Sequence, residues 1–271
     1  MKIAFIGGGN MAAAIIGGLI RKGVAASDLY AIDPNDDVCK RNADQFGIRT
    51  GTAADAALGE YDAVLLAVKP QIAKAVAQSL APHLGAHQVV ISIMAGIRIE
   101  DLSRWLGGHA RIVRTMPNTP ALIGMGATGL FAGDSVDAAG RELASKVLGA
   151  VSQAVWVDDE SKIDAVTAIS GSGPAYVFYF IEALEEAARQ LGMDEQQGRA
   201  LAIATFTGAA QLALQSDEPP AVLRERVTSK GGTTAAALAS FDASAIKDAI
   251  VRGALAADAR AKEMGAEFGK Q

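Results

Sequence analysis

Residues 2–18, KIAFIGGGNMAAAIIGG, limit what this chain can fold into more than any other stretch. Ile3, Ala4, Phe5 and Ile6 form a short apolar run bounded by glycines, the pattern of a strand buried on both faces of a parallel sheet. Gly7-x-Gly9-x-x-Ala12 follows at once, and an apolar helical pattern continues from it to about residues 19–23. Strand, glycine turn and helix in immediate succession make a phosphate cradle. Gly7 permits the tight turn, Gly9 lets backbone approach a pyrophosphate, and Ala12 is small enough for close helix–strand packing. The helix start offers N–H groups and positive dipole potential to the anion. An ordinary βα turn would share the glycines. What goes beyond it is the second strand, residues 29–32, which closes on Asp33, where an adenosine ribose is usually held.

Strand patterns at 48–50, 62–68, 88–94, 111–116, 128–132 and 151–157 alternate with helical patterns at 37–45, 53–58, 71–81, 99–106 and 134–148. Such alternation builds an α/β domain on a mostly parallel, doubly wound sheet. From residue 160 the strand signal stops, and Ala-rich helical stretches follow at 160–169, 174–191, 194–215, 219–227, 231–240 and 242–264. The expected organisation is a dinucleotide-binding domain over 1–159 and an all-helical domain over 160–271. The long helices carry more apolar surface than a domain of that size buries alone, so a twofold dimer through them is expected. Packing of that surface on the first domain is the alternative.

Composition narrows the function classes. Half the residues are hydrophobic and 20% are charged, which suits a folded core rather than disorder. A net charge of −5 and no basic block argue against a nucleic-acid face. The single Cys39 rules out an intramolecular disulfide framework and fits a reducing compartment. The chain opens directly on a strand without a leader, and its best apolar run, 175–184, is interrupted by Glu182 and too short for a bilayer. A cytoplasmic protein with no membrane partner is expected. One Cys and three scattered His make no metal cluster. Ser170 and Ser172 flank Gly171 without a nucleophile elbow. Hydride transfer to a small-molecule substrate, which needs no strong general base, is better supported than hydrolysis. A protonated cyclic imine suits it.

In open α/β sheets ligands sit outside the carboxyl ends of the strands. Lys69-Pro70, Ala95-Gly96 and Pro117-Asn118-Thr119-Pro120 all fall there. Lys69 is placed for cofactor charge, Ala95 for close backbone approach to a nicotinamide, and Asn118 for a hydrogen bond to its amide or sugar. A solvated lysine, a plain turn and a turn cap are the structural alternatives. In the helical domain, Ser170-Gly171-Ser172-Gly173-Pro174-Ala175 and Thr228-Ser229-Lys230-Gly231-Gly232-Thr233-Thr234 both interrupt helices with hydroxyls and small residues. Open N–H groups at a helix start suit a carboxylate; a capped inter-helix loop is the alternative.

These residues carry a likeness. FIGGGNMAAAIIGG, AVKP at 67–70, SIMAGI at 92–97, RTMPNTPA at 114–121, AISGSGPAYVF at 168–178 and above all VTSKGGTTAAAL at 227–238 resemble, in order and over essentially the whole chain, the pyrroline-5-carboxylate reductase family. The resemblance implies an N-terminal Rossmann domain and a C-terminal helical dimerisation domain, with dimers often assembled further into decamers. It implies reduction of 1-pyrroline-5-carboxylate to L-proline by NAD(P)H. Thr228, Gly232 and Thr233 match the substrate-carboxylate loop, with Ser229 beside them, and Thr233 also matches the hydroxyl near the ring nitrogen, the candidate catalytic group. Gly7, Gly9, Asn10 and Met11 match the pyrophosphate turn; Lys69, Pro70, Ala95 and Asn118 match cofactor contacts.

Two departures bear on the cofactor. Asp33 stands where the family often has a polar or basic residue for a 2′-phosphate, and a carboxylate there favours a free 2′-hydroxyl. Asn35, Lys40 or Arg41 compensates if the loop turns the charge away; the resemblance implies NADPH, and Asp33 keeps NADH open. The asparagine that some members carry after the third strand is absent from Gly51-Thr52-Ala53-Ala54. The competing readings are a reductase of another small cyclic imine or 2-oxo acid, and a dinucleotide-sensing scaffold.

Overall fold

The computed structural model describes residues 1–270. They divide into two compact units, residues 1–172 with 257–270, and residues 173–256. The first is built on strands β1 (Ile3–Ile6), β2 (Leu29–Ile32), β3 (Arg49–Gly51), β4 (Ala63–Leu66), β5 (Val89–Ser92), β6 (Ile112–Met116), β7 (Gly126–Ala132) and β8 (Ser152–Trp156). They form one sheet in the order β3-β2-β1-β4-β5-β6-β7-β8. Every pairing is parallel except β6 with β7. The order reverses beside β1, the switch point at which doubly wound sheets open a crevice.

The strands read as unbroken apolar runs because both faces are covered. Ile3, Phe5, Leu29, Ala31, Leu65 and Ile91 face helices α1 (Asn10–Arg21) and α5 (Ala138–Leu148) in one core. Their alternates Ala4, Ile6, Tyr30, Ile32, Leu66 and Val90 face α3 (Ala73–Leu80) and α4 (Ile99–Trp105) in the other. Helix α2 (Asp36–Phe46) is started by Asn35, whose side chain accepts the N–H of Asp37, and is ended by left-handed Gly47. Cys39 is structural: its buried thiol donates to the carbonyls of Asp33 and Gly51 at 3.2 and 3.3 Å, joining the ends of β2 and β3.

Helix α6 (Lys162–Val166) and the π-helical turn Thr167–Gly171 after it belong to the sheet unit, so packing divides the chain later than the change from strands to helices. The cause is a buried ion cluster. Arg114 on β6 donates to Asp164 at 2.7 Å and to Glu160 at 3.3 Å, and Glu160 also accepts the N–H that begins α4. Removing one member of such a cluster strands its partners' charge at about 3–5 kcal/mol.

The second unit contains α7 (Gly173–Gln190), α8 (Glu195–Leu214), α9 (Pro220–Arg226), α10 (Thr233–Ala243) and the first part of α11 (Ile246–Gly269). Asp194 and Gln197 form a reciprocal capping box at the start of α8. Close contact of α7 with α8 uses Gly198, where a Cβ would stand 2.9 Å from that of Ala188. Neither α7 nor α10 buries a single residue in the chain. Phe178, Tyr179, Leu191, Leu201, Leu212, Leu214 and Phe241 are all largely exposed.

Candidate active site

Strand register sets the candidate residues on one rim. Ile6 pairs with Ile32 and Leu66, Leu66 with Ser92, and Ser92 with Arg114. The residues just beyond that row, Gly7, Asp33, Ala67 and Ile93, therefore share the carboxyl edge of the sheet. Backbone bonds continue the ladder one step: Gly7 donates to Ile32 at 2.7 Å, Ala67 to Ile6 at 2.8 Å and Ile93 to Leu66 at 3.1 Å.

The glycine turn is packed to its limit on the protein side and open on the other. Gly7 has φ +95°, and a Cβ there would lie 2.6 Å from the carbonyl oxygen of Ala67. A Cβ on Gly8 would lie 2.7 Å from both the Asn42 amide and Val38. At Gly9 an added Cβ would meet nothing within 4 Å. Gly9 is the N-cap of α1, and no side chain caps the helix. The first-turn N–H groups of Asn10, Met11 and Ala12 are thus left open to an anion. Ala12 is fully buried against the sheet, Met11 partly so, and Asn10 is exposed. This space, its open donors and the carboxylate beyond it fit the pyrophosphate and ribose of a dinucleotide.

Asp33 has a second task. Its Oδ2 accepts the Gly8 N–H at 2.8 Å and its Oδ1 accepts the Asn35 N–H at 3.0 Å. The carbonyl of Gly8 is held from the other side, by Arg41 Nη2 at 2.9 Å and Asn42 Nδ2 at 2.9 Å. Sequence reasoning missed Gly8 and Asn42. A buried Asn in a helix interior, where the residue type is unfavourable, is the signal that would have found the latter.

Lys69 is exposed and Pro70 partly buried beyond β4, where Lys69 precedes a short helical turn at Pro70–Ile72. Ala95 is partly buried beyond β5 and precedes Gly96, at φ +76°. Asn118 lies beyond β6, with both amide hydrogens and one oxygen lone pair engaged inside the unit. Its Oδ1 accepts the Ala127 N–H at 2.8 Å, and its Nδ2 donates to the carbonyl and the hydroxyl of Ser170, each at 3.2 Å. The 170–175 stretch departs from expectation. It is not an open loop but the end of the π-helical turn running into α7, with the Ser172 N–H bonded to Thr167 at 2.8 Å. Turns of this kind are often found at functional sites.

The other loop does open a helix. Thr228 Oγ1 donates to the Arg224 carbonyl at 2.6 Å, so the loop is tied to α9. Gly231 takes φ +72°, and Gly232 donates to the Ser229 carbonyl at 3.0 Å. A Cβ on Gly232 would lie 2.4 Å from Ser229 Oγ. Gly232 caps α10 with backbone alone, and exposed Thr233 is its first residue. Thr228, Ser229, Gly232 and Thr233 thus surround a helix start without a side-chain cap in the second unit, while the glycine turn and Asp33 belong to the first. A groove of about 440 Å³ lined by Met1, Asp62, His87 and Arg111 lies at the opposite, amino-terminal edge of the sheet and takes no part in this rim. Among the described residues, no cluster of three or more metal-ligating side chains occurs, and no helix is long and apolar enough to cross a membrane.

Against known proteins, the chain is 46% identical to a pyrroline-5-carboxylate reductase of Pseudomonas aeruginosa over 99% of its own length and 98% of the relative's. It belongs to the pyrroline-5-carboxylate reductase family. Residues 160–264 match the family model for pyrroline-5-carboxylate reductase dimerisation, and residues 2–96 match the model for coenzyme F420-dependent NADP oxidoreductases. A solved pyrroline-5-carboxylate reductase from Coxiella burnetii superposes with a TM-score of 0.91 at 39% identity, covering 97% of this chain and 98% of that one. One from Plasmodium falciparum with NADP bound superposes at 0.86 with 28% identity, covering 98% of each. The N-terminal sheet domain and the helical region are those of this family, and the exposed apolar faces of α7, α8 and α10 fall within the dimerisation match.

Proposed function

We propose that this protein reduces 1-pyrroline-5-carboxylate to L-proline at the expense of a reduced nicotinamide dinucleotide, the last step of proline synthesis. The observation that carries the reading is the pairing, in a chain alike to such reductases from end to end, of two uncapped helix starts. One lies at Gly9 beside an adenosine-type acid, the other at Gly232 among hydroxyls.

The chain's part is binding, orientation and charge. Open N–H groups of Asn10, Met11 and Ala12 hold pyrophosphate, and Gly9 leaves the space for it. Asp33 and Asn35 border the adenosine ribose, and Lys69, Pro70 and Ala95 border the rest of the dinucleotide. Asn118 borders the cofactor at the rim, its amide hydrogens held by Ser170 and its oxygen keeping one acceptor site. Thr228, Ser229, Gly232 and Thr233 take the substrate carboxylate on the α10 start, where the helix dipole favours a negative charge. The Thr233 hydroxyl stands at the ring nitrogen and accepts the N–H of the protonated imine. The bound dinucleotide supplies the hydride.

The cofactor of this reading is NADPH, in line with the NADP bound to the Plasmodium relative, with NADH kept open by Asp33. The working molecule is a homodimer formed through the C-terminal helices, assembled further into a decamer, in the cytoplasm. A screen of NADPH oxidation against 1-pyrroline-5-carboxylate, piperideine carboxylate and small 2-oxo acids tests the assignment. Turnover of the pyrroline about 10–200-fold above the piperideine, which differs by one methylene, is expected. A preference for a 2-oxo acid would overturn it.

A further inference from the structure

The end of α11 returns to the sheet unit and packs under the loop that follows β5. Phe268 is 8% exposed and sits in the core formed by Leu66, Met94, Ile97 and Leu102. Two glycines make the approach possible. A Cβ on Gly96 would stand 3.1 Å from the Phe268 ring, and one on Gly265 would stand 3.4 Å from the Gly96 carbonyl oxygen. The helix end is fastened as well: Arg104 Nη2 bridges Asp101 at 2.7 Å and the Gly269 carbonyl at 3.1 Å.

The loop has little else to hold it. Met94 donates weakly to Ser92 Oγ at 3.3 Å, and among the described residues the N–H groups of Ala95 and Gly96 bond to no other part of the chain. Gly96 is in the left-handed region, so no local preference of an ordinary residue fixes the turn either. Packing from below must therefore fix it. Met94 and Ile97 are buried on either side of Ala95, and Phe268 closes the cluster they occupy.

We infer that Phe268 is a positioning residue, a strut at the carboxyl end of α11 that holds the Ala95-Gly96 turn in the shape that admits the nicotinamide half of the cofactor. The inference rests on the proposed dinucleotide role of that turn. It gives the last turn of a helix otherwise assigned to dimerisation a part in cofactor binding.

The test compares full-length wild type, Phe268→Ala, Phe268→Leu and Phe268→Met by two readouts. One is hydrogen exchange across residues 93–98 in the cofactor-free protein; the other is NADPH affinity by fluorescence titration. Phe268→Ala is expected to speed exchange in 93–98 while peptides from β1 and α1 stay protected, and to weaken NADPH binding about tenfold, which is roughly 1.4 kcal/mol. Phe268→Leu and Phe268→Met, which refill the space, restore both readouts most of the way; where the alanine variant does not fold, Phe268→Met with a partial effect in the same peptides carries the test. Unchanged exchange in 93–98 in a folded variant, or loosening spread evenly over the unit, overturns the strut. Failure of wild type to bind NADPH would overturn the proposed function instead, leaving the exchange result to decide the strut on its own.

Discussion

Asp33 Oδ2 accepts the backbone N–H of Gly8 at 2.8 Å, so the acid at the end of β2 braces the glycine turn. A carboxylate there also favours a free 2′-hydroxyl over a 2′-phosphate. Asp33→Asn removes the charge and keeps one acceptor. The ratio of kcat/KM for NADPH to that for NADH is expected to rise about tenfold, because roughly 1.4 kcal/mol of relieved like-charge repulsion suffices. Affinity for ADP-ribose, which lacks the 2′-phosphate, should fall. An unchanged ratio would mean that Asp33 is a brace and nothing more.

Neighbouring glycines should respond in opposite ways. Gly8→Ala forces a Cβ to within 2.7 Å of Asn42 and Val38, which is expected to lower stability by about 1–3 kcal/mol through overpacking. Gly9→Ala meets nothing in the protein and its φ of −67° suits alanine, so the melting temperature should hold. Its methyl stands instead in the space assigned to pyrophosphate, and NADPH affinity should drop by about tenfold or more, a loss of roughly 1.4 kcal/mol. Thermal melts paired with cofactor titrations separate the two.

The carboxyl rim was legible in the sequence because its causes are local. A strand buried on both faces, a glycine turn and a helix start leave their marks within a few residues, and in a parallel sheet all such turns land on one edge. Gly8 was not legible, since its crowding comes from Val38 and Asn42 on a different helix. The engagement of Asn118 was hidden for the same reason: Ser170 and Ala127 are distant in the chain. The serines at 170–172 looked like a break because small polar residues usually are one. Here the helical path widens and continues. The return of α11 to the sheet unit is a tertiary event that no pattern in residues 257–269 announces.

His109 gives the fold a dependence on pH remote from the rim. Burial holds its imidazole below the usual 6.5, opposed by its backbone hydrogen bonds to Gln88 and Arg111, with repulsion from the Arg111 charge adding to the lowering. Its Nε2 lies 3.0 Å from the Gln88 carbonyl. A depressed folded-state value means that the unfolded chain binds the proton first as pH falls, so stability is fully present above about 6.5 and declines below it, toward the folded-state value. Melting temperatures at pH 7.5 and 5.5 should show a larger drop for wild type than for His109→Gln. Equal drops would exclude the histidine as the cause.

Thr233 separates substrate chemistry from cofactor binding. A hydrogen bond to a charged group is worth roughly 1.5–3 kcal/mol, so Thr233→Ala is expected to cost about one to two decades in kcat/KM for the imine. NADPH affinity should stay as in wild type, because the residue opens α10 in the helical unit, not the glycine turn. Thr233→Ser keeps the hydroxyl and should recover most of the rate. Steady-state turnover unaffected by the alanine change would remove Thr233 from the mechanism.

The account is tested most directly by following the label from NADPH carrying deuterium at C4 of the nicotinamide, on the transferred face, with 1-pyrroline-5-carboxylate as substrate. Analysis of the product by NMR should find L-proline with one deuterium at C5 and none elsewhere, formed in step with cofactor oxidation. Cofactor oxidation without labelled proline, or no oxidation in the presence of the pyrroline, would contradict it.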